Sequence, residues 1–520
     1  MFSQKKINHF NIYFFALCLM IVALPLSKFL MSISQFVLVG NWLWEGHFKE
    51  KIHKFFHNKA ALVLCSFFIL HVIGLIYTND FSYAFKDLRT KLPLLLLPLI
   101  LCTTECLNKK RFKQLMLLFV AAVIGGTFVS TYIFIKNQFI DIRDISVFIS
   151  HIRFSLLICI AIFTLLYFIL NESNTSKNKI FFLLALCWLV FFLFFILASV
   201  TGIIILIVTA ICLIIYFILK RQVKISIKLT LLSVSLLISV AIFIFVNNVI
   251  KENIKVNPVD FSNLEKNTPY GNLYYNDTTN YSFENGNYVW IYVSEKELRE
   301  AWNKRSNIDF DGKDKKNQKL KYTLIRFLAS KAERKDADGI SKLTDKEISS
   351  VEKGIPNVNL QNEFSIKTRI YEIIWDYNNY KNNGNPSKHS VAQRLEFWKA
   401  STGIINENFW FGVGTGDMNI AFEEQYAKMN SCLEKKYQFR SHNQYLSIFV
   451  GFGLIGFVWF IFFLIYPPVV TKRMFDYFYF VFFIIAILSM LTEDTIESQA
   501  GVTFFAFFNS LFLFAKKEKN

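Results

Sequence analysis

The chain has 520 residues, of which 53% are hydrophobic and 17% aromatic, and phenylalanine alone occurs 58 times. This composition excludes an ordinary soluble domain, because the apolar residues come in long runs rather than at the short spacing of a soluble core. The formal charge of +18 could indicate nucleic-acid binding. However, lysine and arginine concentrate in alternate short loops between the apolar runs, which is the positive-inside pattern of membrane proteins. We therefore expect membrane lipids, and no nucleic acid, as partners.

Apolar runs of about 18 or more residues predict membrane-spanning helices. The alternating charge of the connecting loops places both termini in the cytoplasm and the polar segment 250–441 on the outer side. The candidate spans lie near residues 11–27, 29–44, 60–77, 92–105, 114–135, 152–170, 180–197, 200–219, 229–249, 443–466, 474–491 and 500–515.

The predicted fold is an all-α polytopic membrane protein with about 12 transmembrane helices. Residues 1–249 form an N-terminal membrane domain of about nine spans, and residues 442–520 form a C-terminal membrane domain of about three. Residues 250–441 form one large, mostly helical loop domain between spans 9 and 10. A segment of this length can bury a core of its own.

Within the loop domain, residues 251–290 are rich in Asn, Tyr and Asp and predict loops or short strands. Thr344 and Glu347 have the spacing of a helix capping box. Local periodicity predicts helices over 294–305, 317–335, 341–353, 366–380, 388–408 and 417–436.

The sequence lacks a zinc-binding spacing and the motif of a serine hydrolase. Cys432 is the only cysteine of the loop domain, so this domain cannot hold an internal disulfide. No His/Cys cluster has zinc spacing, which disfavours a zinc site. The absence of Gly-x-Ser-x-Gly disfavours a serine hydrolase. We predict neither a metal nor another cofactor.

A polar cluster at residues 440–444 runs directly into an apolar span and contains His442. Histidine can take and give a proton near neutral pH, and an ionisable group at a membrane border is a candidate functional group. From the residues alone, a structural histidine is an equally good interpretation. His151 and His389 compete for the role of base, but neither lies in such a dense polar cluster at a helix entrance.

Three further patterns each allow a functional and a structural interpretation. Arg394 and Trp398 share a helix face, either as a surface pair or with the arginine as a fork for phosphate. The glycine run 412–416 predicts either a structural turn or a backbone cradle for phosphate. Arg153 begins the sixth span, where it either reaches to lipid headgroups or faces an anionic substrate.

The turn 492–497 before the last span carries three carboxylates, beginning with Glu493. A solvated loop is the usual interpretation of such a turn. The functional alternative is that these carboxylates orient a histidine or bind a sugar.

Taken together, these features resemble the O-antigen ligase family, which shares its domain with O-antigen polymerases and bacterial O-oligosaccharyltransferases. The resemblance is specific over residues 388–457 and diffuse elsewhere. Residues 320–400 and 493–501 are similar to ligase-like proteins of the Bacteroidetes type. The resemblance rests on Ser441-His442-Asn443-Gln444-Tyr445-Leu446 with Gly453 and Gly456, on Arg394 and Trp398 followed by Gly412-Val413-Gly414-Thr415-Gly416-Asp417, and on twelve spans with one large external loop before the tenth.

The resemblance implies a GT-C-like fold in the bacterial inner membrane, with the large loop in the periplasm. It also implies metal-independent transfer of a glycan from an undecaprenyl-pyrophosphate donor to a hydroxyl of lipid A-core, another glycan or a protein. His442 matches the catalytic histidine of the family, and Arg394 matches its loop arginine. The substrate-binding residues expected with them are Arg153, Arg440, Asn443, Trp398, Gly414, Gly416, Asp417 and Glu493.

One position departs from the family pattern. Many members carry a Ser-Arg pair at the external end of a central span, whereas this chain has Ser199 followed by Val200 there. Either Arg153 or Arg440 then takes the role of the missing arginine toward the pyrophosphate, or the donor chemistry is impaired.

The predicted function is therefore O-antigen ligase activity, with His442 as general base and Arg394 neutralising the pyrophosphate. An O-antigen polymerase or a protein O-oligosaccharyltransferase would use the same chemistry, so the sequence does not choose among the three. A transporter or flippase is the alternative of a different class. It predicts paired charges inside the spans and broken helices, whereas the polar groups here gather at the ends of the spans.

Overall fold

The computed structural model describes residues 8–136, 142–171, 175–220, 225–280, 282–361, 366–381, 385–387 and 389–516, and these are predominantly helical. The helices, numbered α1 to α21 in chain order, are His9–Leu26, Lys28–Glu45, Phe48–His57, Lys59–Ile73, Phe81–Lys91, Pro93–Thr103, Lys109–Lys136, His151–Asn171, Ser176–Phe191, Val200–Lys220, Ile225–Ile254, Glu295–Asn303, Leu320–Ser330, Ala337–Ser341, Asp345–Glu352, Ile366–Lys381, Ser390–Glu407, Met418–Lys428, Gln444–Val470, Tyr477–Ser489 and Gln499–Ser510.

Many of these helices are long and apolar enough to cross a membrane, which confirms the predicted all-α polytopic membrane architecture. Helices α3 and α4 form a further candidate span bent by 91°. At this bend the side chain of Asn58 accepts the N–H of Ala61 at 3.1 Å and so caps α4. The count of twelve spans stays a prediction. The six single helices of sufficient length among the described residues are His9–Leu26, Lys109–Lys136, His151–Asn171, Ser176–Ile196, Val200–Ile218 and Gln444–Val470, and the shorter apolar helices are Tyr477–Ser489 and Gln499–Ala515.

The chain divides into two compact units, one formed by residues 1–222 with 393–520 and the other by residues 223–392. The first unit has a large apolar core built by the long helices. It also has a smaller core, which includes Phe397, Phe422, Tyr426 and Val450. The smaller core supports the polar cluster described below. The predicted division of the chain at 249 and 441, by side of the membrane, stays a prediction.

The second unit confirms the predicted mixture of short strands and helices. Strand β1 (Phe283–Glu284) pairs antiparallel with β2 (Asn287–Tyr288). The capping box also forms, because Thr344 Oγ1 accepts the N–H of Glu347 and the Glu347 carboxylate accepts the N–H of Thr344 at 2.8 Å.

Several helices are shorter than predicted, because residues in the left-handed backbone region end them. Helix α13 covers residues 320–330 rather than 317–335, since Asn317 (φ 61°) and Ala332 (φ 59°) flank it. Helix α18 ends at Lys428 rather than at residue 436, and Asn430 (φ 48°) follows it. A left-handed residue cannot continue a right-handed helix.

Helix α19 is interrupted inside its apolar length at Gly453, where φ is 62° and ψ is −164°. An added Cβ would lie 2.3 Å from the carbonyl carbon of Trp410, so the position needs glycine. The interruption frees backbone groups, and segment 409–414 hydrogen-bonds to them. The bonds run from Val413 N–H to Val450 O (2.9 Å), from Gly414 N–H to Gly451 O (2.8 Å) and from Leu454 N–H to Phe409 O (2.8 Å).

Candidate functional site

The polar cluster at the start of α19 packs against the turn 490–498 that joins α20 to α21. Gln444, which is fully buried, donates its N–H to the carbonyl of Met490 at 2.9 Å. Its side-chain nitrogen donates to Glu497 Oε1 at 3.0 Å, and its side-chain oxygen accepts the N–H of Ile496 at 2.6 Å. Gln444 therefore fixes the acidic turn to the entrance of α19.

Two serines and the backbone of His442 complete this attachment. The hydroxyl oxygens of Ser441 and Ser447 lie 2.5 Å apart, and Ser447 donates to Asp494 Oδ1 at 2.7 Å. His442 donates its N–H to Asp494 Oδ2 at 3.2 Å and has a φ of 45°. Such a φ is uncommon outside glycine, and these bonds hold it in place.

The imidazole of His442 lies between two aromatic rings. It stacks on Phe397, with ring centroids 5.5 Å apart, and meets Phe439 edge to face at 6.1 Å. The residue is partly exposed, and neither ring nitrogen has a hydrogen-bond partner among the described residues. A structural histidine would normally have its ring nitrogens hydrogen-bonded. The arrangement instead orients the ring and leaves its nitrogens available to donate or accept a hydrogen bond.

Arg394 and Trp398 lie one turn apart on α17, as predicted. Trp398 Nε1 donates to the carbonyl of Ser441 at 3.1 Å and so attaches α17 to the polar cluster. Arg394 Nη2 donates to the carbonyl of Thr492 at 3.3 Å and to Glu493 Oε1 at 3.4 Å. The side chains of Arg394 and Glu493 are 29% and 22% exposed. Both contacts of Arg394 are long, so this guanidinium can exchange them for a stronger anionic partner.

Glu497 is buried and is shared by two cations. Lys91 Nζ lies 2.9 Å from Glu497 Oε2, and Arg440 Nη1 lies 3.5 Å from the same oxygen. Burial alone would raise the pKa of Glu497, but Lys91 and Arg440 outweigh it and lower the pKa to about 2. Lys91 also pairs with Asp87 at 2.7 Å, and Arg440 lies over the ring of Tyr83 at 5.7 Å.

The sequence did not indicate the part that Asp87 and Lys91 play. Their spacing of four residues on α5 was the only available signal, and it suggests no more than a surface ion pair. In the structure both residues are buried, and Lys91 reaches a carboxylate 406 positions away in the chain.

Arg153 lies in the first turn of α8, next to the start of α10. The two helices pack closely there, since a Cβ added to Gly202 would lie 2.5 Å from Ser155 Cβ. Val200 precedes Gly202 by two residues, just as Arg153 precedes Ser155. Arg153 and Val200 therefore lie at the same end of this helix pair, and Val200 is where the family pattern has its second arginine.

An imidazole and two guanidinium groups lie near the carboxylate of Glu493. Burial raises the pKa of Glu493, and the neighbouring His442, Arg394 and Arg153 lower it only in part. Burial likewise raises the pKa of Asp494. Arg153 makes no direct hydrogen bond or ion pair with any residue that the structure describes. Its charge is thus close to this turn, but it forms no direct ion pair there.

The glycine turn 412–416 is hydrogen-bonded within the protein, which matches the structural interpretation of this motif. Asp417, at its end, accepts the N–H groups of Asn79 and Asp80 at 2.8–2.9 Å. The N–H groups of the turn donate as follows: Gly412 to Asn408 O (3.0 Å), Val413 to Val450 O (2.9 Å), Gly414 to Gly451 O (2.8 Å), Thr415 to Gly74 O (3.4 Å) and Gly416 to Thr78 Oγ1 (3.1 Å).

Asn443 also makes its contacts within the protein. Its side-chain oxygen caps α19 by accepting the N–H groups of Tyr445 and Leu446 at 3.0 and 3.2 Å, and its nitrogen donates to the carbonyl of Leu491 at 3.0 Å. A substrate contact of Asn443, as of Trp398 and the glycine turn, stays a prediction. Among the residues described, no three His, Cys, Asp or Glu side chains are grouped so that they could hold a metal ion.

The helical architecture and this cluster of imidazole, guanidinium and carboxylate groups define a multi-pass membrane protein with a polar site at the ends of its helices. The family model described as O-antigen ligase matches residues 354–461. This segment contains Arg394, His442 and the interruption at Gly453, so the predicted resemblance to the O-antigen ligase family is confirmed over this part of the site. No curated protein matches the chain.

Proposed function

We propose that this protein transfers a glycan from an undecaprenyl-pyrophosphate donor to an acceptor hydroxyl at the periplasmic face of the inner membrane. The family match supports glycan transfer in general. One observation carries the specific proposal. The imidazole of His442 has no hydrogen-bond partner among the described residues, and it lies beside Glu493, close to Arg394 and Arg153.

His442 is the proposed general base. As the acceptor oxygen attacks the anomeric carbon, a ring nitrogen takes its proton, and the bond between the sugar and the pyrophosphate breaks with its electron pair on the leaving oxygen. General-base catalysis typically contributes about 10²–10⁴ in rate. Stacking on Phe397 orients the ring, and the negative charge of Glu493 stabilises the imidazolium that forms.

Arg394 and Arg153 are the proposed partners of the pyrophosphate. A guanidinium stays charged and binds phosphate oxygens as a fork, which suits a leaving group that must be neutralised. Arg394 is held by two long contacts, and Arg153 has no direct partner in the described chain. Arg440 is instead engaged by the buried Glu497. These contacts favour Arg153 over Arg440 for the role of the arginine that Val200 replaces.

The break in α19 also bears on the alternative that the protein is a transporter. Transporters use broken helices to bind substrates or ions with freed backbone groups. Around Gly453, segment 409–414 hydrogen-bonds to such groups. The ion pairs of the described site lie in turns and in helices α5 and α17 rather than inside the candidate spans. Both observations favour an enzyme at the membrane surface.

The test is reconstitution of the purified protein in liposomes with a labelled undecaprenyl-pyrophosphate glycan. Lipid A-core, a second lipid-linked glycan and a protein acceptor are supplied in separate reactions. We expect the label to move to one of them with release of undecaprenyl pyrophosphate, and the acceptor used distinguishes ligase, polymerase and protein O-glycosylation. Movement of the lipid-linked glycan across the bilayer without any product would contradict the proposal and favour a flippase.

A further inference from the structure

We infer that a cavity of about 350 Å³ beside the candidate base binds one sugar residue of the acceptor. The cavity lies between α18 and segment 435–440. This inference rests on the proposed function and names the place where its acceptor binds. The cavity is lined by Asn419, Phe422, Glu423, Lys435, Gln438, Phe439 and Arg440.

One aromatic side chain contacts both the cavity and His442. Phe439 lines the cavity and also meets the imidazole of His442 edge to face at 6.1 Å. The backbone continues directly from Phe439 through Arg440 to the polar cluster. A sugar bound in the cavity would therefore present a neighbouring hydroxyl to the base, and such positioning is a large part of catalysis.

The side chains of the cavity suit a sugar ring. Asn419 and Glu423 are four residues apart on α18 and face the same side of the helix. The side chains of Asn419, Glu423 and Lys435 have no hydrogen-bond or ion-pair partner among the described residues. An amide, a carboxylate and an ammonium group are therefore available to hydroxyl groups. Phe439 is 48% exposed and offers an apolar face to the C–H groups of a pyranose.

The charge and the size of the cavity separate it from the pyrophosphate site. Glu423 opposes the charge of Lys435, and Arg440 is engaged by Glu497, so the lining offers little net charge to a pyrophosphate. The guanidinium groups with weak contacts or no direct partner are those of Arg394 and Arg153, which lie outside the cavity lining. Small-molecule pockets usually measure about 300–1,000 Å³, so this cavity holds a ring-sized group rather than a long glycan.

The experiment compares Asn419→Ala and Glu423→Gln with the wild type in the liposome assay, using the acceptor that the wild type accepts. Asn419→Ala removes the hydrogen bonds of the amide, and Glu423→Gln replaces a charged acceptor with a neutral amide, so we expect each to raise the KM for the acceptor roughly tenfold. We expect kcat and the KM for the donor to stay within about twofold. Glu424→Gln is the matched control, because Glu424 is the next residue on α18 and does not line the cavity.

Phe439→Leu provides a second measurement that keeps an apolar side chain but removes the aromatic face. We expect it, too, to raise the KM for the acceptor. An acceptor KM that is unchanged in all three variants would overturn the inference, and so would a rise confined to the KM for the donor. A wild type that transfers glycan to no acceptor would instead contradict the proposed function itself.

Discussion

Replacing Lys91 with methionine should destabilise the protein strongly at neutral pH. Lys91 is 1% exposed, and its ammonium group contacts three carboxylate oxygens. Two belong to Asp87, at 2.7 and 2.8 Å, and one belongs to Glu497, at 2.9 Å. Methionine fills a similar space but removes the charge and all three hydrogen bonds.

Removal of one partner from a buried ion pair typically costs about 3–5 kcal/mol, because the remaining charge is left uncompensated. Here two carboxylates lose their partner, but Glu497 keeps Arg440 at 3.5 Å. We therefore expect the free energy of unfolding to fall by about 4 kcal/mol. The loss should shrink on acidification, since both carboxylates lose a cation that favours their charged form and become neutral when protonated.

The free energy of unfolding of the detergent-solubilised protein is to be measured by denaturant titration at several pH values. Lys428→Met is the matched control, because Lys428 forms an exposed pair with Glu407 at 2.7 Å and such pairs contribute little. A Lys91→Met variant as stable as the wild type at neutral pH would refute this reasoning. A loss of stability that grows on acidification would do so as well.

Three further predictions concern other parts of the site and its support. Arg394→Lys keeps the charge but loses the fork, so kcat/KM for the donor should fall roughly tenfold, and equal activity would exclude a forked contact. The pKa of Glu497 is lowered from 4.5 to about 2, so its contribution to stability is complete above about pH 4.5 and lost toward pH 2. The Tm of a Glu497→Gln variant should therefore fall less than the Tm of the wild type as the pH is lowered from about 4.5 to about 2. Gly453→Ala should lower the Tm or prevent folding. Gly125→Ala should do neither, because a Cβ added at Gly125 meets no atom within 4 Å.

The features that the sequence predicted well depend on neighbouring residues. The capping box of Thr344 and Glu347 formed as its spacing indicated. The long apolar runs became long helices, because a stretch of about 20 apolar residues has few alternatives in a membrane. The location of His442 in a polar cluster at a helix entrance was also evident, since the cluster is contiguous in the chain.

The features that the sequence did not predict depend on distant partners or on backbone geometry. The contact of Lys91 with Glu497 joins opposite ends of the chain, and a spacing pattern does not contain it. The interruption at Gly453 is stable only because segment 409–414 hydrogen-bonds to the freed backbone. The sequence also showed which polar groups gather near the site, but not which of them bind one another, as Asn443 and Gln444 do with the acidic turn.

Transfer by a His442→Ala variant tests most directly whether His442 is the general base. The purified variant and the wild type are to be compared in liposomes at saturating donor and acceptor, with equal amounts of folded protein. We predict a fall in kcat of about 10²–10⁴, with the KM of each substrate nearly unchanged. A kcat within about threefold of the wild type would contradict the assignment, because a general base contributes far more than that.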